Sequence, residues 1–519
     1  MLLTLLKHEI QILLRSKRVY WTVFMFLLLF LSIFIVRLVD YQKQVNQYIA
    51  DVQIHEESLQ SVVNYSFIKP RAIQQPIIFS IFNEGFRFPR VVTIQFYEPI
   101  YESGALNEEN NLLYIDITQL DITFLITFFL SLFILLISYD SVNGEKSIGT
   151  LRVIMTYPIK RQSFILKKLL GVFIFVAFIF SIPYFLSLIS LIIIYANLLS
   201  LNFFFSAFFY WFLVLLFILF FSLLGIFIST CSTNPNRSLV YSLLIWVLFS
   251  IILPISWDYI ISPRIYNEKF EQLSHNFIEK HNLANRLYYI DVPDDADLNK
   301  IGHMNWSGDF YEATVWGLQG TYEQHYRFQR YMYEVYFPVS RDIELIADEI
   351  YRTRISMENM RSRIFFYNPI VLLNNLSMKI TGNSNDDYLL FLQNSREIRD
   401  DLINLGVNEG WLFDYRFFTM FTEEYNNLQD YWIEMYKEYD EDDDKFWAAW
   451  DTIWARVNAF SSKAEFYEME LPHIKPYEQP HFTLAFIIPR IFNGLSMLVL
   501  SILVLWVMTW IKFMKYDVR

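Results

Sequence analysis

Few of the chemistry-bearing side chains in this sequence stand at spacings that chemistry requires. Ile54–Ser58 reads IHEES, the start of a zinc-protease HExxH without its second histidine. Eight histidines and one cysteine, Cys231, are scattered along the chain with no zinc-ligand spacing. No G-x-S-x-G nucleophile turn occurs. Asn143–Ser147, NGEKS, resembles the end of a phosphate loop, but Asp140 stands where its leading glycine belongs and Glu145 precedes Lys146. The acidic run Glu438–Trp447, EYDEDDDKFW, lacks the glycine of a calcium loop and is expected to be a solvated connection. We therefore expect no catalytic residues, no metal ligands and no cofactor site in this chain, an ATP site included.

The elements that would hold any site are membrane spans. Of the 519 residues 54% are hydrophobic and only 18% charged, against about 25% in a typical soluble domain. Six apolar runs are long enough to cross a hydrocarbon core: Tyr20–Leu38, Ile122–Tyr139, Val172–Tyr195, Phe208–Thr230, Leu239–Trp257 and Ile491–Ile511. None has an ionisable side chain at mid-depth, where ion-driven transporters and proton relays place theirs. Nor does a filter-like loop interrupt any of them, so energy for transport is expected from outside the chain.

Orientation follows from the basic residues. Lys7, Arg15, Lys17 and Arg18 precede the first span, and Lys146, Arg152, Lys160, Arg161, Lys167 and Lys168 follow the second. Arg237 separates the fourth and fifth, and Lys512, Lys515 and Arg519 follow the sixth. All four clusters lie on one side if both termini are cytoplasmic, in keeping with the positive-inside rule. No cleavable signal peptide is expected.

The expected fold is thus an α-helical polytopic membrane protein with six transmembrane helices and a large, mostly helical extracytoplasmic domain. Residues 1–18 form an interfacial helix, with Leu3, Leu6, Ile10 and Leu13 on one stripe. Residues 19–39 and 122–139 are the first two spans, separated by an extracytoplasmic segment, 40–121. Within that segment QPIIFSIFNEGFRFPRVVTIQFY reads as strand-like. Residues 140–170 are a cytoplasmic loop, 171–257 carry spans three to five, and 258–482 form the outer helical lobe. Residues 483–511 are the sixth span and 512–519 a cytoplasmic tail. Pro183, in FSIPYFLSL of the third span, frees a backbone carbonyl and is a candidate hinge.

The loop after the second span carries the most specific pattern, in YDSVNGEKSIGTLRVIMTYPIKRQSFILKK. Asp140 ends the span, Gly144 permits a turn, and EKSIGTLRVIMT can form a short helix along the membrane that Pro158 stops. Glu145 near the start of that helix suits its dipole, and Gly149 and Thr150 allow close approach. Such a helix is shaped to enter a groove in another protein.

This pattern resembles the permease subunits of type-2 ABC exporters. Asp140, Gly144, Glu145, Lys146, Gly149, Thr150, Leu151, Arg152, Pro158, Arg161 and Lys168 match the family's element, with Ser147 where a second acid is common. The turn GIFISTCSTNPNRS, Gly225–Ser238, is similar to that between the family's fourth and fifth spans. PIIFSIFNEGF and YNPIVLLNNLSMKITG are similar to a long bacterial subfamily labelled permeases of copper-enzyme maturation.

The resemblance implies an ATP-driven exporter of the bacterial inner membrane. In it a second copy or paralogue of the permease pairs with this one, and each docks on an ABC ATPase that holds ATP and magnesium. It assigns ATPase coupling to Glu145, Lys146, Gly149, Thr150, Leu151 and Arg152. The outer domain could contact a substrate or an envelope protein, and no nucleic acid is expected. The competing reading is a membrane-anchored envelope scaffold or sensor whose outer lobe binds a ligand or partner protein.

Overall fold

In a computed structural model, the described residues are 2–60, 62, 65–85, 88–101, 120–156, 161–195, 201–256, 261–293, 296, 322–364, 368–417, 471–479 and 483–515. The acidic run at 438–447 and Pro158 lie outside them.

Apolar sequence without internal charge makes helices here, because a helix satisfies every backbone polar group within one segment. Among the described residues six helices are long and apolar enough to cross a membrane: Val19–Gln60, Ile122–Ile148, Arg161–Ile194, Leu201–Cys231, Pro235–Ser256 and Ala485–Met514. They coincide with the six apolar runs. The second and fourth are the most enclosed by protein, whereas the first, fifth and sixth leave broad apolar faces uncovered. Small residues set the closest approach between the two enclosed spans. A Cβ on Gly225 would overlap Ser138 Oγ at 1.7 Å.

The helix Leu2–Arg15 packs on the third span, where a Cβ on Gly171 would lie 3.1 Å from Glu9 Cβ. That third span runs as one unbroken helix through Pro183, which is partly buried.

Two expectations need correction. The strand-like stretch forms only a short antiparallel pair, β1 Arg71–Ile73 with β2 Val91–Thr93, in register Ala72↔Val92. Its apolar centre is instead a 3-10 turn, Ile78–Ile81, whose four residues are all buried. The run PIIFSIF has no alternation of polar and apolar residues because every side meets protein. Second, the 258–482 segment is not wholly an outer lobe. Its helix Pro369–Thr381 buries Ile370, Leu372, Leu373, Leu376 and Ile380 in the same apolar cluster as the spans.

The remaining described elements of the 258–482 segment are helical, as expected. Helices Ser262–Tyr289 and Phe337–Ile364 pack together, and Asn385–Asn408 lies against the latter. Their core is aromatic, with Trp411 fully buried and stacked on Tyr65 at 4.3 Å. Arg399 reaches both oxygens of Glu344 at 2.6 and 3.1 Å, and Arg396 bonds Asp348 at 2.7 Å. These pairs satisfy charges that the lobe buries without a disulfide.

Candidate functional site

The loop after the second span is built from two short helices rather than the single one expected. Asn143–Ile148 ends at Gly149, whose φ of 86° is left-handed, and Thr150–Thr156 follows. Glycine adopts that conformation without the clash a side chain would meet. Gly144, expected at the turn, lies inside the first helix.

Backbone donors at the start of this unit are satisfied by the fourth span. Ser229 Oγ accepts from Val142 N at 3.0 Å and Asn143 N at 3.2 Å. Ser238 Oγ donates to Tyr139 O at 2.7 Å, and Asn143 is fully buried. The turn between the fourth and fifth spans therefore fixes where the two helices begin. Thr150 Oγ1 donates to Glu145 O at 3.1 Å and ties the second helix back to the first.

Glu145 is turned inward. Its carboxylate pairs with Lys168 of the third span. Lys168 also meets Glu9 of the N-terminal helix at 2.6 Å, and Lys167 meets the same Glu9 oxygen at 3.2 Å. Two carboxylates and two ammonium groups thus form a buried, formally neutral cluster. It joins three elements: the N-terminal helix, the third span and the loop. A buried charge is costly when alone and tolerable when paired, so the four residues constrain one another.

The sixth span joins the same end of the molecule. Arg161 Nη1 donates to Met514 O at 2.9 Å, and Phe164 stacks on Phe513 with ring centres 5.6 Å apart.

The other residues to which the resemblance assigns coupling divide between inward and outward positions. Leu151 is 1% exposed and anchors the second helix in the main core, with Ile154 and Met155 packed beside it. Lys146 is partly buried, whereas Thr150 and Arg152 are exposed. Pro183 is far along the third span and belongs to no part of this cluster.

Sequence reasoning missed two side chains. Ile148 is 78% exposed and Val153 59% exposed, on either side of the Gly149 turn. Isoleucine and valine on the exposed face of a loop stapled down by polar contacts make an unsatisfied apolar surface. Glu9 was missed as well. A lone acid in the amphipathic stretch Leu2–Leu14 was the available signal.

The unit is therefore anchored from behind by Leu151, Ser229 and the ion cluster and leaves Ile148, Val153 and Arg152 exposed. Among the described residues no group of three or more His, Cys, Asp or Glu could hold a metal ion. Residues 3–518 match the family model described as ABC-2 family transporter protein, which spans nearly all of the chain. No curated protein matches it.

Proposed function

This chain belongs to the ABC-2 transporter family, and from that premise we propose that it is the permease half of an ATP-driven exporter. Membership makes it a transport subunit of a multi-pass membrane protein class that works with an ABC ATPase. The finer reading is ours. Two permeases, identical or paralogous, pair in the bacterial inner membrane with both termini cytoplasmic, and each docks on one ATPase through the helices on either side of Gly149. ATP and magnesium bind that partner.

The observation that carries this reading is the division of labour within residues 143–156. Glu145 is held against Lys168, while Ile148, Val153 and Arg152 face outward. Glu145 then acts as a positioning residue. Ile148 and Val153 enter the partner's groove, and Arg152 supplies charge at its rim. A push on the outward face reaches the third span through Lys168 and the N-terminal helix through Glu9. The subfamily label of copper-enzyme maturation rests on the likeness of PIIFSIFNEGF and YNPIVLLNNLSMKITG and names no substrate.

The test is purification of the tagged protein from native membranes in mild detergent, with mass spectrometry of the chains that accompany it. A stoichiometric soluble chain carrying GxxxxGK[ST], with ATP hydrolysis in the eluate, is the expected result. Recovery without any such chain in several gentle detergents would reject the reading and favour an envelope scaffold.

A further inference from the structure

At the end of the bundle away from the coupling loop, the first helix changes character as it runs on past Arg37. Asp40, Gln44, Gln47, Tyr48 and Asp51 recur every three or four residues and so share one face. All five line a cavity of about 510 Å³, a size that suits a small organic ligand.

The other walls come from distant stretches of the chain. Gln74 follows β1 and Arg90 precedes β2, and Gln74 N donates to Arg90 O at 2.8 Å, which holds the two residues side by side. Phe88 stacks on Tyr388 of the helix Asn385–Asn408 with ring centres 4.0 Å apart and gives the cavity an aromatic side. The edge formed by residues 382–384 is pinned by a polar joint. Asn83 Nδ2 donates to Ser377 Oγ, and Asn383 Nδ2 donates to Asn83 O at 3.2 Å.

Four carboxylates and one guanidinium line this space. Three of the carboxylates are engaged. Arg37 bonds Glu84 at 2.7 Å and Asp40 at 3.3 Å, and Arg490 bonds Asp387 at 2.6 Å. Among the described residues the side chains of Asp51 and Arg90 have neither a hydrogen bond nor an ion pair, and those of Gln47, Tyr48 and Gln74 have no hydrogen bond either. Burial lowers the pKa of the Arg90 guanidinium, although Tyr41, Glu84 and Asp40 oppose the shift electrostatically. A charge drawn out of water without a contact partner is unfavourable, and an anionic group brought by a ligand relieves it.

The two uncommitted charges stand apart. Arg90 interacts with Asp40 and Tyr41 and so belongs to that end of the cavity. Asp51 comes eleven residues after Asp40 on the same helix, about 16 Å further along its axis. A simple cation would leave Arg90 unpaired, and a simple anion would leave Asp51 unpaired. A free amino acid carries both charges but holds them too close together to reach both residues.

We propose that this cavity binds an extended zwitterion, with its anionic end on Arg90 and its ammonium end on Asp51, and that the ligand is a short linear peptide with free termini. An extended tetrapeptide is about 13–14 Å long. Gln47 and Tyr48 lie between the two ends and Gln74 beside Arg90, with amide and hydroxyl groups free to bond peptide N–H and C=O. The inference goes beyond the permease reading and does not depend on an ATPase, so peptide binding and co-purification fail separately.

The experiment titrates the full-length protein in nanodiscs with tetra-alanine and follows the heat of binding. Saturable binding is expected, and acetylating the amino end or amidating the carboxyl end should each weaken it about tenfold. Asp51→Asn should weaken free tetra-alanine about tenfold and leave the acetylated peptide unchanged. Arg90→Gln should do the same for the free and amidated peptides, while Arg90→Lys keeps most of the binding. The Asp51 arm stands by itself if Arg90→Gln fails to fold. No saturable binding at millimolar peptide, or equal binding of free and blocked peptides, would overturn the proposal. Free alanine binding as tightly as tetra-alanine would overturn the extended ligand.

Discussion

Replacing Ile148 by alanine tests the proposed docking surface where it is most exposed. Full burial of an isoleucine side chain is worth roughly 1.5–3 kcal/mol. The fold leaves 78% of this residue uncovered, so most of that energy is still to be gained when a partner covers it. Alanine removes three of the four side-chain carbons. The expected loss is about 1.4 kcal/mol, or roughly tenfold in the affinity of the ATPase. Val153→Ala has a smaller side chain and a smaller exposed share, and should cost about threefold by the same reasoning. The two together should approach thirtyfold if the sites act independently. The assay is binding of the purified ATPase subunit to the permease in nanodiscs. Monodispersity of each variant shows that folding is unaffected. Leu151→Ala is the contrasting control: its side chain is 1% exposed, and its loss should cost about 2–5 kcal/mol of stability through a core cavity. Changes of less than twofold in both surface variants, with folding intact, would refute the assignment of this face.

Two further predictions concern the parts that hold that face. Lys168→Met should destabilise the detergent-solubilised protein by about 3 kcal/mol by stranding Glu145, and adding Glu145→Gln should recover most of the loss, as read by thermal melting. Glycine positions should separate cleanly. Gly225→Ala drives a methyl into Ser138 and should lower the yield of folded protein. Gly149→Ala meets no neighbouring atom, costs about 1–2 kcal/mol through its left-handed backbone alone, and should show itself as weaker ATPase binding.

The six spans were legible because lipid penalises every unpaired polar group, which writes the answer into hydropathy along the chain. Gly149, Leu151 and Arg152 were legible as a motif, and the motif marks a real structural unit. What could not be read was which way each side chain turns. Glu145 suits a helix start equally well facing a partner or facing Lys168, and only the packing of the third span decides. Ile148 and Val153 look like core in a pattern of spaced apolar residues, yet they lie outside. The helix Pro369–Thr381 falls inside the 258–482 stretch read as an outer lobe, and its 13 residues are too few to span a bilayer, yet it is buried among the spans along its length. Asn83 and Ser377 are 294 positions apart, and no local pattern joins them.

The first span has a consequence of its own. Val19–Gln60 is a single helix of 42 residues, about 63 Å long at 1.5 Å per residue, roughly twice the 30 Å hydrocarbon core. Its portion from Leu38 to Gln60 extends about 35 Å past Arg37. A tilt of about 10° around that point would sweep the far tip by some 6 Å and shift Asp40, at the base, by less than 1 Å. Such a rod turns a small rotation at its base into a large displacement at Gln60. Anything that grips the helix near Gln60 would therefore have to move it by about 6 Å to turn its base beside Arg37 by about 10°.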